Sequence, residues 1–275
     1  MNIYELTQEY IKLGYQEDDI ASKVAQDIIL LNIGKSKYAK NITIKGGVVM
    51  HNISKDLRRA TRDMDLDFIK YSLEDKSIYN FINELNNVND NIEISIEGSP
   101  TKLHHQDYDG KRVYVILKDK YGESIRTKLD IGVHKYFDIV QDEYLFDFNI
   151  LGDSVSLLIN SNEQIIVEKL KSLLKFGITS TRFKDIFDFY YFKNNQEVDR
   201  KKLLSYIELL IYKDETIKQN NYDELMKRLT SVLNSKQYKS RLNHANSNWL
   251  EIPVDKVIKN VLKYFNSLKD IEVHN

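Results

Sequence analysis

Cysteine is absent from the 275-residue chain, and proline occurs only twice, at Pro100 and Pro253. The absence of cysteine excludes disulfides, cysteine-ligated zinc, iron–sulfur clusters and thiol catalysis. The scarcity of proline allows helical segments to run without interruption. No apolar run approaches the roughly 20 residues that a membrane helix needs, and the first residues lack the basic-then-apolar pattern of a signal peptide. The sequence therefore predicts a cytoplasmic protein with no membrane partner.

The charges nearly cancel over the whole chain but differ between its two parts. The chain has 40 Lys and Arg and 41 Asp and Glu, a formal net charge of −1. Residues 160–275 carry 20 basic and 15 acidic side chains, whereas residues 1–159 carry 20 basic and 26 acidic ones. This asymmetry indicates two functional zones, although chance surface composition explains it equally well.

The hydrophobic pattern also changes along the chain. Up to about residue 150, helical segments alternate with short strand-like segments. From Asn162 onward the pattern is helical. We therefore predict an α+β fold, with an α+β domain that begins with a helix in residues 1–155 and a helical domain in residues 156–275.

An acidic segment that precedes Phe68 is the most informative part of the sequence. If it forms a strand, Asp63, Asp65 and Asp67 lie on one face and apolar side chains lie on the other. Neighbouring charges about 6.6 Å apart repel by roughly 2.5 kcal/mol at an effective dielectric of about 20. A divalent cation offsets such repulsion through hard oxygen ligands. The alternative is a half-exposed strand whose acids point into water.

A second strand-like segment, residues 125–131, supplies one more carboxylate, that of Asp130. If this segment pairs beside the first, Asp63, Asp65 and Asp130 can form a three-carboxylate cage for one or two Mg²⁺ ions, with Mn²⁺ as a substitute. Such ions bridge phosphate oxygens, activate an attacking hydroxyl and stabilise a pyrophosphate leaving group.

A glycine pair stands between a predicted strand and a predicted helix, at Lys45-Gly46-Gly47. Glycine lets backbone N–H groups approach a phosphate closely, and a helix start favours an anion. A Gly-Gly pair by itself more often marks a turn, because it matches neither the Walker nor the dinucleotide fingerprint. Its position 16 residues before Asp63 is what makes it a candidate phosphate site.

Taken together, the glycine pair and Arg59-x-Thr61-x-Asp63-x-Asp65 resemble the first motif of the polymerase-β-like nucleotidyltransferase superfamily. The form K-G-G … R-x-T-x-D-x-D-L is similar in particular to the AbiEii/AbiGii-type toxin family. The resemblance implies a nucleotidyltransferase-fold mixed β-sheet followed by a helical domain. It also implies that Lys45, the glycine pair, Arg59 and Thr61 bind the nucleotide.

The activity that the resemblance implies is a Mg²⁺-dependent transfer of an NMP from an NTP to an acceptor. The implied setting is an abortive-infection or toxin–antitoxin system, with a cognate antitoxin protein as a partner. The implied acceptor is an RNA, with the 3′ end of tRNA as the leading candidate.

Later motifs extend the resemblance to about residue 195. An E-K-L run around Lys169 and an R-x-K-D run from Arg182 to Asp185 are similar to motifs of the same family. The resemblance implies that Lys169 neutralises triphosphate charge with help from Arg182 or Lys184, and that Asp185 orients a base, ribose or lysine. The residues alone leave another interpretation open, since Arg182, Asp185 and Asp188 share a helix face that is more often solvated.

Val48 departs from the family pattern, which usually has Thr or Ser directly after the glycine pair. A hydroxyl contact to phosphate is therefore missing at this position. The departure motivates an alternative, a catalytically silent RNA- or protein-binding module on the same fold. A metal-dependent phosphohydrolase using the same acids is a third hypothesis. Basic residues interleaved with tyrosines after residue 200 form either an RNA-binding surface or ordinary solvated helix faces.

Overall fold

A computed structural model describes residues 2–88, 91–103, 110–136 and 138–269. The chain divides into two compact units, Met1–Asn160 and Ser161–Asn275. The boundary expected from the sequence, after residue 155, falls inside the last strand of the sheet, which ends at Ile159. The sequence also predicts a polar loop, and not a metal site, for His104, His105, Asp107 and Asp109, which lie outside the described residues.

Seven strands of the first unit form one mixed sheet among the described residues. They are β1 (Ile42–Ile44), β2 (Met64–Phe68), β3 (Ile92–Lys102), β4 (Lys111–Asp119), β5 (Ser124–Val133), β6 (Asp142–Phe148) and β7 (Asp153–Ile159). Their order across the sheet is β3-β4-β5-β2-β1-β7-β6. The β2–β5 and β1–β7 pairs are parallel, and the other four pairs are antiparallel. The predicted mixed sheet is therefore confirmed.

The helices of the first unit are α1 (Ile3–Lys12), α2 (Glu17–Lys35), α3 (Gly46–Ser54) and α4 (Asp75–Leu85). α1 begins with a capping box, in which Asn2 and Glu5 each accept a hydrogen bond from the other's backbone N–H, at 2.7 and 2.9 Å. The sequence predicts a helix stop at Gly34, and α2 ends one residue later, at Lys35. A Cβ at Gly34 would lie less than 3.0 Å from the Val155 side chain, so this glycine lets α2 pack against β7.

One face of the sheet carries the core of the first unit. Met64, Leu66 and Phe68 of β2 are each at most 1% exposed, as their alternation with aspartates predicts. Apolar side chains of β5 and β7 join this core, and α2 contacts both strands while α4 contacts β3. The aspartates of β2 consequently lie on the opposite face of the sheet.

The second unit is helical throughout its described part. Its elements are α5 (Asn162–Phe176), α6 (Lys184–Asn195), α7 (Arg200–Ile207), α8 (Tyr222–Asn234), α9 (Lys236–His244) and α10 (Val254–Asn266). The single helix predicted from Lys201 to Tyr212 changes to a π-helical turn after Ile207. None of the described helices in either unit is long and apolar enough to cross a membrane.

Candidate active site

Two carboxylates face each other across neighbouring parallel strands of the sheet. The register of β2 and β5 makes Asp65 and Asp130 direct partners. Adjacent strands lie about 4.8 Å apart, and partners in register project to the same face. The fold therefore brings together two acidic residues that are separated by more than sixty positions in the sequence.

The other acids of the β2 segment are balanced by lysines of the chain itself. Asp63 lies just before β2 with its side chain 57% exposed, and its Oδ1 is 2.7 Å from Nζ of Lys128. Asp67 is buried, and its Oδ2 is 2.9 Å from Nζ of the equally buried Lys45. The three aspartates thus occupy different environments. Lys45, expected to bind nucleotide, is engaged with Asp67.

Arg112 holds the carboxylate of Asp130 through two hydrogen bonds. Its Nε and Nη2 each donate to one oxygen of Asp130 at 2.8 Å, across the β4–β5 register. The hydrogen bonds to Asp130 raise the pKa of the Arg112 guanidinium above its usual value. Asp130 is nearly buried while Arg112 is one-third exposed. The sequence does not indicate this role of Arg112, because only the pairing of β4 with β5 brings Arg112 beside Asp130.

The donor set suits a magnesium ion bound together with a nucleotide. In the described part of the chain, no three acidic or histidine side chains converge on one point, so the three-carboxylate cage stays a prediction. Mg²⁺ is usually held by one or two carboxylates together with substrate phosphates and water. Asp65 and Asp130 provide such a pair of hard oxygen ligands, with Asp63 adjacent in the chain.

The glycine pair forms the first turn of α3, two residues earlier than the helix start predicted at Val48. Gly46 has φ +65°, and a Cβ on it would lie less than 3.0 Å from the carboxylate of Asp65. A Cβ on Gly47 would meet the Cβ and Oγ1 of Thr61 at 2.7 Å. The two glycines therefore let Asp65 and Thr61 approach the N-terminal end of α3, the end that favours an anion.

Val48 and Arg59 point into the protein interior. Val48 is 1% exposed and Arg59 is 3% exposed. Val48 is thus a core residue of α3, and the hydroxyl beside the glycine pair belongs to Thr61. The role of Arg59 in nucleotide binding stays a prediction.

A polar network behind α3 fixes the segment that leads into β2. The Tyr15 hydroxyl lies 2.8 Å from Nε2 of His51, whose Nδ1 lies 3.1 Å from the carbonyl oxygen of Asp56. Nε2 of Gln26 donates to the carbonyl oxygen of Thr61 at 2.9 Å. Burial lowers the pKa of His51 to about 4, so this histidine is neutral near pH 7.

In the second unit, Lys169 of α5 is the centre of a buried ionic cluster. Its Nζ lies 2.5 Å from Oδ1 of Asp185 and 2.9 Å from Oδ2 of Asp188. The other oxygen of Asp188 accepts a hydrogen bond of 3.1 Å from the indole N–H of Trp249. Lys169 and Asp185 are each less than a tenth exposed, and Asp188 is fully buried. The two residues that the family resemblance assigns to activity are therefore in contact.

The solvated-face interpretation of Arg182, Asp185 and Asp188 is wrong. α6 begins at Lys184, so Arg182 precedes the helix, and both aspartates turn inward to Lys169. Arg182 is more than half exposed and lies 3.7 Å from Oδ2 of Asp185, a buried oxygen without a hydrogen-bond partner in the described structure. Sequence reasoning missed Trp249, although it is the only tryptophan of the chain.

The mixed sheet, with paired carboxylates beside a helix that begins at two glycines, is an α+β architecture consistent with a nucleotidyltransferase-like fold. The family model described as nucleotidyl transferase AbiEii toxin, type IV TA system, matches residues 28–259. The chain belongs to this family, which confirms the predicted resemblance and enzyme class. Family membership makes it a nucleotidyltransferase toxin of a type IV toxin–antitoxin system and implies an NTP substrate and a cognate antitoxin. A comparison with curated proteins gives no match.

Proposed function

We propose that the protein transfers an NMP from an NTP to the 3′ end of a tRNA and releases pyrophosphate, with Mg²⁺ as its cofactor. One observation carries this proposal. Asp65 and Asp130 are partners in register, and Asp65 lies against the N-terminal end of α3, which begins with Gly46 and Gly47. Carboxylates that bind a metal and a helix start that binds phosphate are the two elements that phosphoryl transfer requires.

In the first unit, the backbone N–H groups of Gly46 and Gly47 donate hydrogen bonds to phosphate oxygens. Asp65 and Asp130 would hold the metal, which neutralises phosphate charge when it is bound, and Asp63 would join them by exchanging Lys128 for the ion. Asp130 also accepts the proton of the acceptor hydroxyl. Arg112 orients this carboxylate through its paired hydrogen bonds.

In the second unit, Lys169 binds the triphosphate, as the family resemblance implies. A lysine side chain has several rotatable bonds, so a single hydrogen bond leaves its ammonium group poorly placed. Asp188, which accepts a hydrogen bond from the Trp249 indole N–H, and Asp185 both contact this ammonium group. Arg182, more than half exposed, is available to nucleotide phosphates, and Asp185, whose buried Oδ2 lacks a hydrogen-bond partner in the described structure, would orient the lysine.

The test is incubation of the full chain with Mg²⁺, each α-labelled NTP in turn, and total tRNA. We expect label on the tRNA 3′ end with release of pyrophosphate, and a loss of roughly 100-fold or more in Asp65→Asn. Asp147→Asn removes an exposed carboxylate from the same sheet and serves as the matched control, with a rate near that of the wild type. Equal labelling by the wild type and Asp65→Asn contradicts the mechanism, and label on protein contradicts the acceptor.

A further inference from the structure

Two cavities adjoin α10 and share Lys263 in their linings. The first has a volume of about 440 Å³ and is lined by residues of α6, α10 and the segment 196–200. The second has a volume of about 490 Å³ and is lined by residues of α8, α9 and α10. Both lie within the second unit, which carries the basic part of the sequence.

The linings of these cavities are strongly basic. Lys193, Arg200 and Lys263 line the first cavity, and no acidic residue lines it within the described chain. Lys239 and Lys259 add two more cations in the second cavity. Its one carboxylate, Asp255, is already paired with Lys239 at 3.1 Å. The two linings together therefore hold five cations and one acid.

Lys259 and Lys263 are exposed and one helical turn apart. Like charges at this spacing repel and destabilise an isolated helix. No carboxylate of the described residues lies within ion-pair distance of either ammonium group. A polyanion that lies along α10 would relieve this repulsion.

The neutral residues of the first cavity indicate which polyanion fits. Gln196, Asn260 and Ser267 stand between the cations. Arg and Lys together with Ser, Asn and Gln are the side chains that contact phosphate and sugar oxygens in nucleic-acid complexes. Ser267 accepts a hydrogen bond from Arg200 at 3.3 Å, so this cation and this neutral side chain lie side by side in the lining.

We propose that this α10 basic surface, formed by Lys193, Arg200, Lys239, Lys259 and Lys263, binds the sugar–phosphate backbone of RNA. The identification of that RNA as the acceptor rests on the proposed function, whereas the binding itself does not. Contacts to the backbone are electrostatic and independent of base sequence, so the affinity falls as salt rises.

The test measures binding of the full chain to fluorescent tRNA by anisotropy, without NTP or Mg²⁺, from about 50 to about 200 mM salt. We expect the double variant Lys259→Glu, Lys263→Glu to bind at least about 10-fold more weakly. We also expect the slope of log affinity against log salt to become shallower by roughly two. The double variant Lys40→Glu, Lys76→Glu changes the net charge equally at exposed lysines of the first unit and should bind like the wild type.

Wild-type affinity and slope in the α10 variant would overturn the proposal. Competition by poly-glutamate as strong as that by tRNA would also overturn it, in favour of an acidic protein partner. The variant with both lysines replaced by alanine checks that weaker binding reflects lost cations and not new repulsion, and circular dichroism checks folding. The binding assay contains no nucleotide, so it is independent of the reaction. If the protein binds tRNA through this surface but transfers no label, only the proposed function is contradicted. If it transfers label but the α10 variant binds tRNA like the wild type, only this inference is contradicted.

Discussion

Two candidate-site ion pairs, one in each unit, differ in how far they are buried. In the first unit, Asp63 pairs with a single lysine, and both side chains are substantially exposed. In the second unit, Lys169 is buried with two carboxylates at once. Exposed pairs are worth at most about 1 kcal/mol and exchange partners readily, whereas breaking a buried pair costs roughly 3–5 kcal/mol. The first arrangement can adjust to a ligand, and the second arrangement fixes one side chain.

The comparison separates two requirements of a nucleotidyltransferase. A metal–phosphate site must gain and lose ligands in every turnover, which suits the acids near the glycine pair. A cationic side chain binds triphosphate more tightly when the folded protein already orients it, because its entropy is then lost during folding and not during binding. The buried contacts of Asp188 with Lys169 and Trp249 provide this orientation.

The largest expected effect comes from removing one carboxylate of the buried cluster around Lys169. Asp188→Ala leaves Lys169 with one carboxylate and the Trp249 indole N–H without its acceptor. We expect the free energy of unfolding to fall by about 3–5 kcal/mol, measured by urea denaturation. The matched control is Asp223→Ala, which breaks an ion pair whose two side chains are more than half exposed. A loss of about 1 kcal/mol or less is expected there, and equal losses in the two variants would remove the distinction between buried and exposed pairs.

A smaller effect on stability is expected in the first unit, at the buried His51 behind α3. Burial lowers the pKa of His51 to about 4, so its protonation favours the unfolded chain. The stabilising contribution is complete above about pH 6.5 and is lost as the pH falls to about 4, by at most roughly 3 kcal/mol. We expect His51→Gln to lose less stability than the wild type over this range in urea denaturation.

The control for this prediction is His244→Gln, which removes an exposed histidine of the second unit. Its profile of unfolding free energy against pH should follow the wild type. If His51→Gln also follows the wild type, His51 does not contribute the proton-linked stability that its burial indicates.

Sequence patterns predicted the parts of the fold that depend on local periodicity. The alternation of β2 placed its apolar residues in the core, and the helical periodicity of α5, α6, α8 and α10 is strong enough to be recognised. The strands β6 and β7 were missed, although Phe146 and Phe148 alternate with polar residues. α9 was also missed, because only Tyr238 and Leu242 of its nine residues are buried.

The partners of the candidate site residues depend on tertiary structure and were harder to predict. Nothing near Asp130 in the sequence indicates Arg112, because an antiparallel register brings the two together. Trp249 lies 61 residues from Asp188, and its indole N–H meets the carboxylate only once the second unit is folded. Which residues carry the chemistry stays a prediction from the sequence, and the structure adds the residues that contact them.

The central claim, that carboxylates of β2 and β5 bind a divalent cation beside a triphosphate, is tested most directly by Mn²⁺ binding. Electron paramagnetic resonance of the full chain with Mn²⁺ and a non-hydrolysable NTP analogue measures the bound ion without any turnover. We predict one or two bound Mn²⁺ ions in the wild type and in Asp147→Asn, and at least about 10-fold weaker binding in Asp65→Asn and in Asp130→Asn. Equal Mn²⁺ affinity in all four proteins would contradict the account.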